Sequence, residues 1–438
     1  MSFSYRRLVG SRRLKHVIWY MTLIYFLLFL FSNWFFYVFS SILTTNFVKM
    51  YIGIRDSFVL FFILLLVPRR FSLKRFPALL FNALALLGLV GIYFIMCTHK
   101  NFATLFYTRF FIFPWLYLLF GFLSYPYFKD FFYKWFNFLF FLLVFYSIGS
   151  ILIFVFREKL LNSVLLELYG SLAMRSYNQQ FGVLGNAVSY EFIRFVGRPV
   201  VRLSGFLFDP PITGVFLSLI SVYIFVKDKK LPLKLFPIVA GILTLTKGFI
   251  FIFFITVFWI FIVVYMKKKL PSQLVININN SFLLFLLIIL FIFSIVAGHS
   301  SPYKFSRSVY SHTKGFITTF NVIIKHPLGT GLGTQGNLAY STSSRKITET
   351  YWGVFVGQTG VFGLLVLIGI LIFSYKNLIL SIGLKDDILW IYSLYFFVFL
   401  LSAMFSESTM AIRVSSILFF TYGLVYARII KLVQRNYM

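Results

Sequence analysis

Apolar runs of roughly twenty residues recur from one end of this chain to the other, and that feature leaves few folds open to it. A helix rises about 1.5 Å per residue, so such a run crosses the ~30 Å hydrocarbon core of a bilayer. The runs lie near 16–41, 52–68, 77–97, 103–124, 132–155, 207–226, 233–246, 248–266, 281–298, 352–374, 387–405 and 411–430. They predict an all-α, polytopic membrane protein of about 12 transmembrane helices. The connection at Lys247 is the tightest. Of the 438 residues, 60% are hydrophobic and 12% charged, too little polar surface for a soluble domain of this length. The 62 Phe and 27 Tyr suit the same solvent, with Phe on lipid-facing surface and Tyr and Trp at headgroup level. A single cysteine, Cys97, leaves no intrachain disulfide and no thiolate cluster.

A net charge of +30 raises nucleic acid as a partner, but its distribution argues for membrane topology instead. With twelve spans, the connecting segments form two alternating sets. The N-terminus, 69–75, 129–134, 227–234, 267–269, 376–385 and the C-terminus hold 23 Lys and Arg. The short segments of the other set hold five: Lys49, Arg55, Lys100, Lys247 and Arg413. Lys and Arg accumulate on the cytoplasmic side, so both termini are predicted inside, and the basic leader to the first run reads as a retained anchor.

Two segments break the short-loop pattern, 156–206 and 299–351, and both fall on the outer side with six Lys or Arg each. They divide the chain into a bundle of five spans (1–155), a first long loop (156–206), central helices (207–298), a second long loop (299–351) and C-terminal helices (352–438). Loops this long are commonly functional. Apolar stretches at 164–172 and 316–324 predict short interfacial helices inside them.

The first loop ends in Arg194, Arg198 and Arg202, spaced by four until Pro199 intervenes. Guanidinium matches phosphate oxygens best among side chains, so Arg198 and Arg202 are candidate anion ligands, whereas Arg194 has Glu191 nearby. Asp209 before two prolines reads as a helix cap. The second loop supplies Arg307, His312, Lys314, Lys325, His326, Arg345 and Lys346, with Glu349 as its only acid and candidate general base. Its glycine-rich turn at 326–334 lacks the lysine of a phosphate-binding loop. His312 and His326 lack metal-ligand spacing, and no Gly-x-Ser-x-Gly elbow is present. Arg109, inside a span, is expected to face the protein interior.

Three stretches resemble the O-antigen polymerase and O-antigen ligase superfamily of the bacterial envelope. The first is 202–214 (RLSGFLFDPPITG), with Arg198 and Gly214 matching an arginine, fifteen residues, glycine spacing described for polymerases. The second is 243–248 (LTLTKG), similar to a Thr-x-Ser-Arg-Gly helix end, with Lys247 in place of the arginine. The third is 325–334 (KHPLGTGLGT), followed by Glu349-Thr350-Tyr351 and by 357–363 (GQTGVFG). The likeness covers roughly 195–370. It implies an all-helical C-type glycosyltransferase fold with short helices on the outer face.

The resemblance also implies a polysaccharide repeat-unit polymerase in the bacterial cytoplasmic membrane, using undecaprenyl-diphosphate-linked oligosaccharides and no cofactor. A chain-length regulator is its candidate protein partner. Family arginines that hold the lipid diphosphate carry over to Arg198 or Arg202 and to Arg307. Glu349 stands where the ligases place an acceptor-activating histidine, which points towards a polymerase. Lys247, His312, Lys314, His326 and Tyr351 are further candidate substrate contacts. The rival readings are a ligase using the same donor and a lipid-linked oligosaccharide flippase. The flippase predicts short loops on both faces and charges within the spans.

Overall fold

The structure is a computed structural model that describes residues 12–38, 45–66, 78–97, 102–156, 188–189, 200–207, 209–226, 231–267, 269–299, 307–336, 347, 350–384 and 386–436. Its helices are α1 (Arg12–Val38), α2 (Thr45–Leu66), α3 (Ala78–Met96), α4 (Phe102–Phe128), α5 (Phe132–Val155), α6 (Pro210–Leu217) and α7 (Leu231–Leu243). They continue with α8 (Lys247–Lys267), α9 (Ser272–His299), α10 (Arg307–Lys325), α11 (Tyr351–Ile382), α12 (Asp387–Ser402) and α13 (Ile412–Asn436). A short antiparallel ribbon pairs β1 (Val188–Ser189) with β2 (Val200–Val201), Val188 opposite Val201. Each of the twelve predicted runs overlaps a helix, and α10 lies in the second long segment.

Among the described residues, seven stretches are long and apolar enough to cross a bilayer. They are Leu14–Ser32, Ala78–Met96, Ala103–Val155, Lys247–Met266, Gln273–Val296, Tyr351–Ile382 and Ile412–Arg435. Ala103–Val155, 53 residues long, contains both α4 and α5, joined by a 3₁₀ turn at Lys129–Phe131. Three shorter apolar helices, Pro210–Val222, Leu231–Leu243 and Asp387–Ser402, accompany them. The chain is built as a multi-pass membrane protein. On α1, Ile18, Trp19, Thr22, Tyr25, Phe26 and Phe29 are buried at helical spacing, while Met21, Ile24 and Leu28 on the other side stay exposed. An apolar outer face like that belongs against hydrocarbon, because in water it drives association.

The chain forms two compact units, one of Met1–Pro68 and Tyr117–Ile250, the other of Arg69–Leu116 and Phe251–Met438. In the first, α5 packs on α7, and both α1 and α5 pack on a 3₁₀ turn at Gly205–Leu207. In the second, α11 packs against α3, α10 and α12, while α10 also lies along α9. Helix α12 has no glycine or proline, and Leu389 to Ser402 are buried all round, as in an interior helix.

Five tryptophans pack inside the protein. Trp115, Trp135, Trp259, Trp352 and Trp390 are fully buried in protein. Their rings fill helix–helix gaps where lipid supplies no hydrophobic drive, so van der Waals packing decides association. Three indole N–H groups find partners inside: Trp352 Nε1 donates to the Leu400 carbonyl (2.8 Å), Trp390 Nε1 to Asp387 Oδ1 (2.9 Å) and Trp259 Nε1 to Asn279 Oδ1.

An ion pair is buried midway along α2. Arg55, 7% exposed, donates from Nε and Nη2 to Asp56 Oδ1 at 2.9 and 2.7 Å. Its guanidinium also lies 4.5 Å from the Phe29 ring centroid, and the Tyr25 hydroxyl donates to the Arg55 carbonyl at 3.4 Å. Counted among the short outer connections although the run 52–68 contains it, Arg55 lies well inside a helix that begins at Thr45.

Candidate functional site

In the first unit, the first two stretches that carry the resemblance fold against each other. Arg202 follows β2, and the next residue, Leu203, donates its backbone N–H to the Leu243 carbonyl at 2.9 Å. That bond ties the Arg202 segment to the turn preceding Lys247. Gly205 then takes a left-handed φ of +59°, where a Cβ would sit 2.6 Å from Ser150 Oγ and 3.0 Å from the Tyr146 hydroxyl. Tyr146 holds the chain just beyond this point: its hydroxyl accepts from Leu207 N (3.3 Å) and bonds Thr213 Oγ1 (3.0 Å). Thr213 Oγ1 in turn donates to the Ser204 carbonyl at 2.6 Å.

Asp209 is the cap its sequence context predicts. Its Oδ1 accepts from Ile212 N at 3.2 Å, and Pro210 and Pro211 open α6. Asp209→Ala is expected to cost about 1 kcal/mol and Asp209→Asn close to nothing, read from thermal unfolding in detergent.

Gly214 explains itself sterically. A Cβ there would strike Thr246 Oγ1 and stand 3.0 Å from Thr244 Oγ1, so only glycine brings α6 this close to the α7–α8 turn. The turn is strained. Leu245 has φ +48°, the only positive φ at a non-glycine residue among those described. Thr246 Oγ1 accepts from Phe249 N at 3.4 Å and begins α8, whose first residue, Lys247, is exposed. Arg202, half-buried, and Lys247 thus flank one junction.

In the second unit, the third stretch folds into one piece. Helix α11 is broken at Gly360 (φ 66°, ψ −148°) into arms 351–359 and 361–382, the second long enough to cross a bilayer alone. A break at membrane depth exposes carbonyls that must be satisfied by protein. The glycine turn does this. Thr330 N donates to the Gly357 carbonyl and Gly331 N to the Gln358 carbonyl, both at 3.0 Å, while Val361 N donates to the Pro327 carbonyl at 2.8 Å. Tyr93 of α3 donates to the Thr359 carbonyl (3.0 Å) and bonds the Leu328 carbonyl as well. Gln358 reaches across, accepting from Gly333 N (3.1 Å) and donating to the Gln335 carbonyl (2.8 Å).

Positive φ values at Gly329, Gly331, Gly333 and Gly336 are what this pinning requires. Amides 330, 331 and 333 are spent on α11, and the Gly336 amide donates to the Ile347 carbonyl. At the N-terminus of α11, the Tyr351 and Trp352 amides donate to the Ala403 carbonyl, and Gly353 N donates to Thr350 Oγ1. These amides are therefore already engaged within the protein.

The candidate side chains are distributed as follows. Arg307 opens α10, an amphipathic helix that buries Thr313, Gly315, Thr319 and Val322 and exposes Lys314, Phe320, Ile324 and Lys325. The expected interfacial segment 316–324 is part of this longer helix. His312 is half-buried, Lys314 stands 5.1 Å from the Tyr310 ring centroid, and His326 is exposed just past the helix end. Tyr351 is fully buried among Phe110, Phe111 and Trp352, with ring centroids 5.1, 5.5 and 4.9 Å away. Arg109 lies 5.5 Å from the Phe113 ring centroid. Arg198 and Glu349 lie outside the described residues, as do Arg194, Arg345, Lys346 and the predicted helix at 164–172. Among the described residues, no three His, Cys, Asp or Glu side chains come together as a metal site.

Sequence reading missed one acid in this unit. Glu407, in the turn between α12 and α13, is 8% exposed and accepts from the Tyr107 hydroxyl at 2.8 Å. Its place in a short connection, outside both long loops, gave no signal. The chain matches no protein-family model, no curated protein and no solved structure.

Proposed function

We propose that this protein is a repeat-unit polymerase of envelope polysaccharide synthesis, spanning the bacterial cytoplasmic membrane about twelve times with both termini inside. The donor is a growing glycan on undecaprenyl diphosphate and the acceptor a single repeat unit on the same carrier. The observation that carries the reading is the junction in the first unit, where Gly214 lets α6 meet the Thr244–Thr246 turn and Leu203, the residue after Arg202, donates its backbone N–H to the Leu243 carbonyl just before that turn. Two of the stretches that resemble one superfamily meet there, and Arg202 and Lys247 stand in them.

In this mechanism, guanidinium groups stabilise the diphosphate as it takes the electron pair of the breaking glycosidic bond: Arg198 and Arg202 are the candidates in the first unit and Arg307 the candidate in the second. Glu349 takes the proton of the attacking hydroxyl. Attack opposite the leaving group inverts the anomeric carbon. Lys247, exposed at the start of α8, is a further candidate contact in the first unit, and His312, Lys314 and His326 are candidates in the second; Tyr351, fully buried, is not open to substrate.

The test is to give purified protein lipid-linked repeat units and follow glycan length. The parent is expected to lengthen them, and Arg198→Ala, Arg202→Ala or Arg307→Ala to leave single repeats on the carrier with the protein still inserted. Full-length polymer from a variant removes that arginine from the site. Transfer onto lipid A core instead identifies a ligase. A flippase is the second reading, favoured by the ion pair buried in α2. Translocation of the lipid-linked unit across a vesicle bilayer without lengthening would establish it.

A further inference from the structure

We propose that α9 is the surface by which two copies of this chain pair in the membrane, along a seam of Asn277, Ser281, Leu284, Ile288, Phe291 and Ile295. The spanning part of α9, Gln273–Val296, is the least buried of the seven candidate spans, 18% against 28–72% for the others. One side of it is fixed to the protein. Val275, Asn279 and Leu286 are buried there, and Asn279 accepts from Trp259 Nε1 of α8 and donates to the Tyr375 hydroxyl of α11 at 3.3 Å. That hydroxyl donates in turn to Asn280 Oδ1. On the opposite side all six seam residues are exposed, Leu284 at 61% and Phe291 at 55%. They follow one another by 4, 3, 4, 3 and 4 residues, the period with which one helix packs along a second. From Asn277 to Ile295 the seam runs about 27 Å, most of the ~30 Å hydrocarbon core.

Apolar seam residues are at home against lipid, but Asn277 is not. It is exposed four residues inside the span, and its side chain bonds nothing among the described residues. Asparagine is too short to carry its amide back to the headgroups as a lysine stem would. An amide turned to hydrocarbon without a partner is costly, and acyl chains offer it neither donor nor acceptor. Two copies inserted alike lie parallel, and a two-fold axis along the membrane normal sets each seam residue opposite its own equivalent. The group facing Asn277 is then the same asparagine of the second copy. A primary amide both donates and accepts, so it completes a hydrogen bond with its own kind. Ser281 Oγ is committed to the Asn277 carbonyl at 3.1 Å, and its small side chain lets two helices approach at that level. The pairing rests on membrane insertion and this one face, and it holds whichever reaction the protein performs.

The experiment counts copies of the fluorescently labelled full chain by single-molecule photobleaching in phosphatidylethanolamine–phosphatidylglycerol vesicles, over a series of protein-to-lipid ratios. The parent is expected to form dimers that dissociate on dilution. Asn277→Leu should weaken pairing about 10-fold, whereas Asn277→Gln, which keeps the amide, should retain most of it. Cysteines map the face. Because Cys97 is the chain's one cysteine, a Cys97→Ser background leaves only the introduced thiol to oxidise. Leu284→Cys and Ile288→Cys are expected to give disulfide-linked dimers; Phe285→Cys and Val296→Cys, as exposed but off the seam, are not. Single copies of the parent at every dilution overturn the proposal. So does Asn277→Leu pairing with parental affinity, or off-seam thiols linking as readily as those on the seam. Seam cysteines that link in the native membrane to a different protein and never to each other also overturn it.

Discussion

Gly360→Ala should lower the stability of this protein by more than about 3 kcal/mol, the sum of backbone strain and a steric overlap that no rotamer relieves. Gly360 adopts φ 66° and ψ −148°, a region open essentially to glycine alone. A Cβ there would strike the Pro327 carbonyl oxygen and lie 2.5 Å from the Leu328 carbonyl carbon, both backbone atoms of the turn that satisfies the helix break. Gly329 meets the reciprocal obstacle, with a Cβ 2.6 Å from the Gln358 carbonyl carbon. Gly331 is the internal control. Its φ of +92° carries strain, but a Cβ would meet only Thr334 Cγ2, at 4.0 Å. Gly331→Ala is therefore expected to cost about 1 kcal/mol. Melting temperatures of the purified variants in one detergent decide the matter. Equal tolerance at 360 and 331 would mean that the glycine turn does not pin α11.

Asp56→Ala is expected to cost about 3–5 kcal/mol, because it removes the carboxylate that takes both Nε and Nη2 of a guanidinium only 7% exposed. The charge-free double variant Arg55→Met/Asp56→Leu should recover most of that loss, since a buried ion pair stabilises little relative to apolar groups of similar volume. Thermal unfolding of the three proteins provides the check. A double variant that is as stable as the parent yet inactive would show that α2 keeps its charges for function, as intramembrane ionisable groups usually are kept. An Asp56→Ala protein melting with the parent would show that the carboxylate is not compensating Arg55.

The helices were legible because hydrocarbon imposes one rule on every span: its backbone must satisfy itself and its side chains must be apolar. That is why all twelve runs overlap helices, and why Asp209 before two prolines announced a cap. The glycines at 329, 331 and 333 were visible as a turn, but their purpose was not. Nothing local shows that the amides of Thr330, Gly331 and Gly333 bond to a helix some twenty-five to thirty residues later. Glu407 was hidden for the opposite reason. It sits in a short connection, and its partner is 300 residues away.

By itself, the sequence determined the solvent and the helical class and singled out the candidate stretches, because hydropathy, charge bias and glycine spacing are local properties. Only the tertiary structure decided that α11 is broken and where its carbonyls are satisfied, that Arg55 and Asp56 are buried together, and that Tyr107 and Glu407 meet. Those outcomes depend on hydrogen bonds and packing between residues far apart in the chain, and such pairings leave no periodicity in the sequence to read.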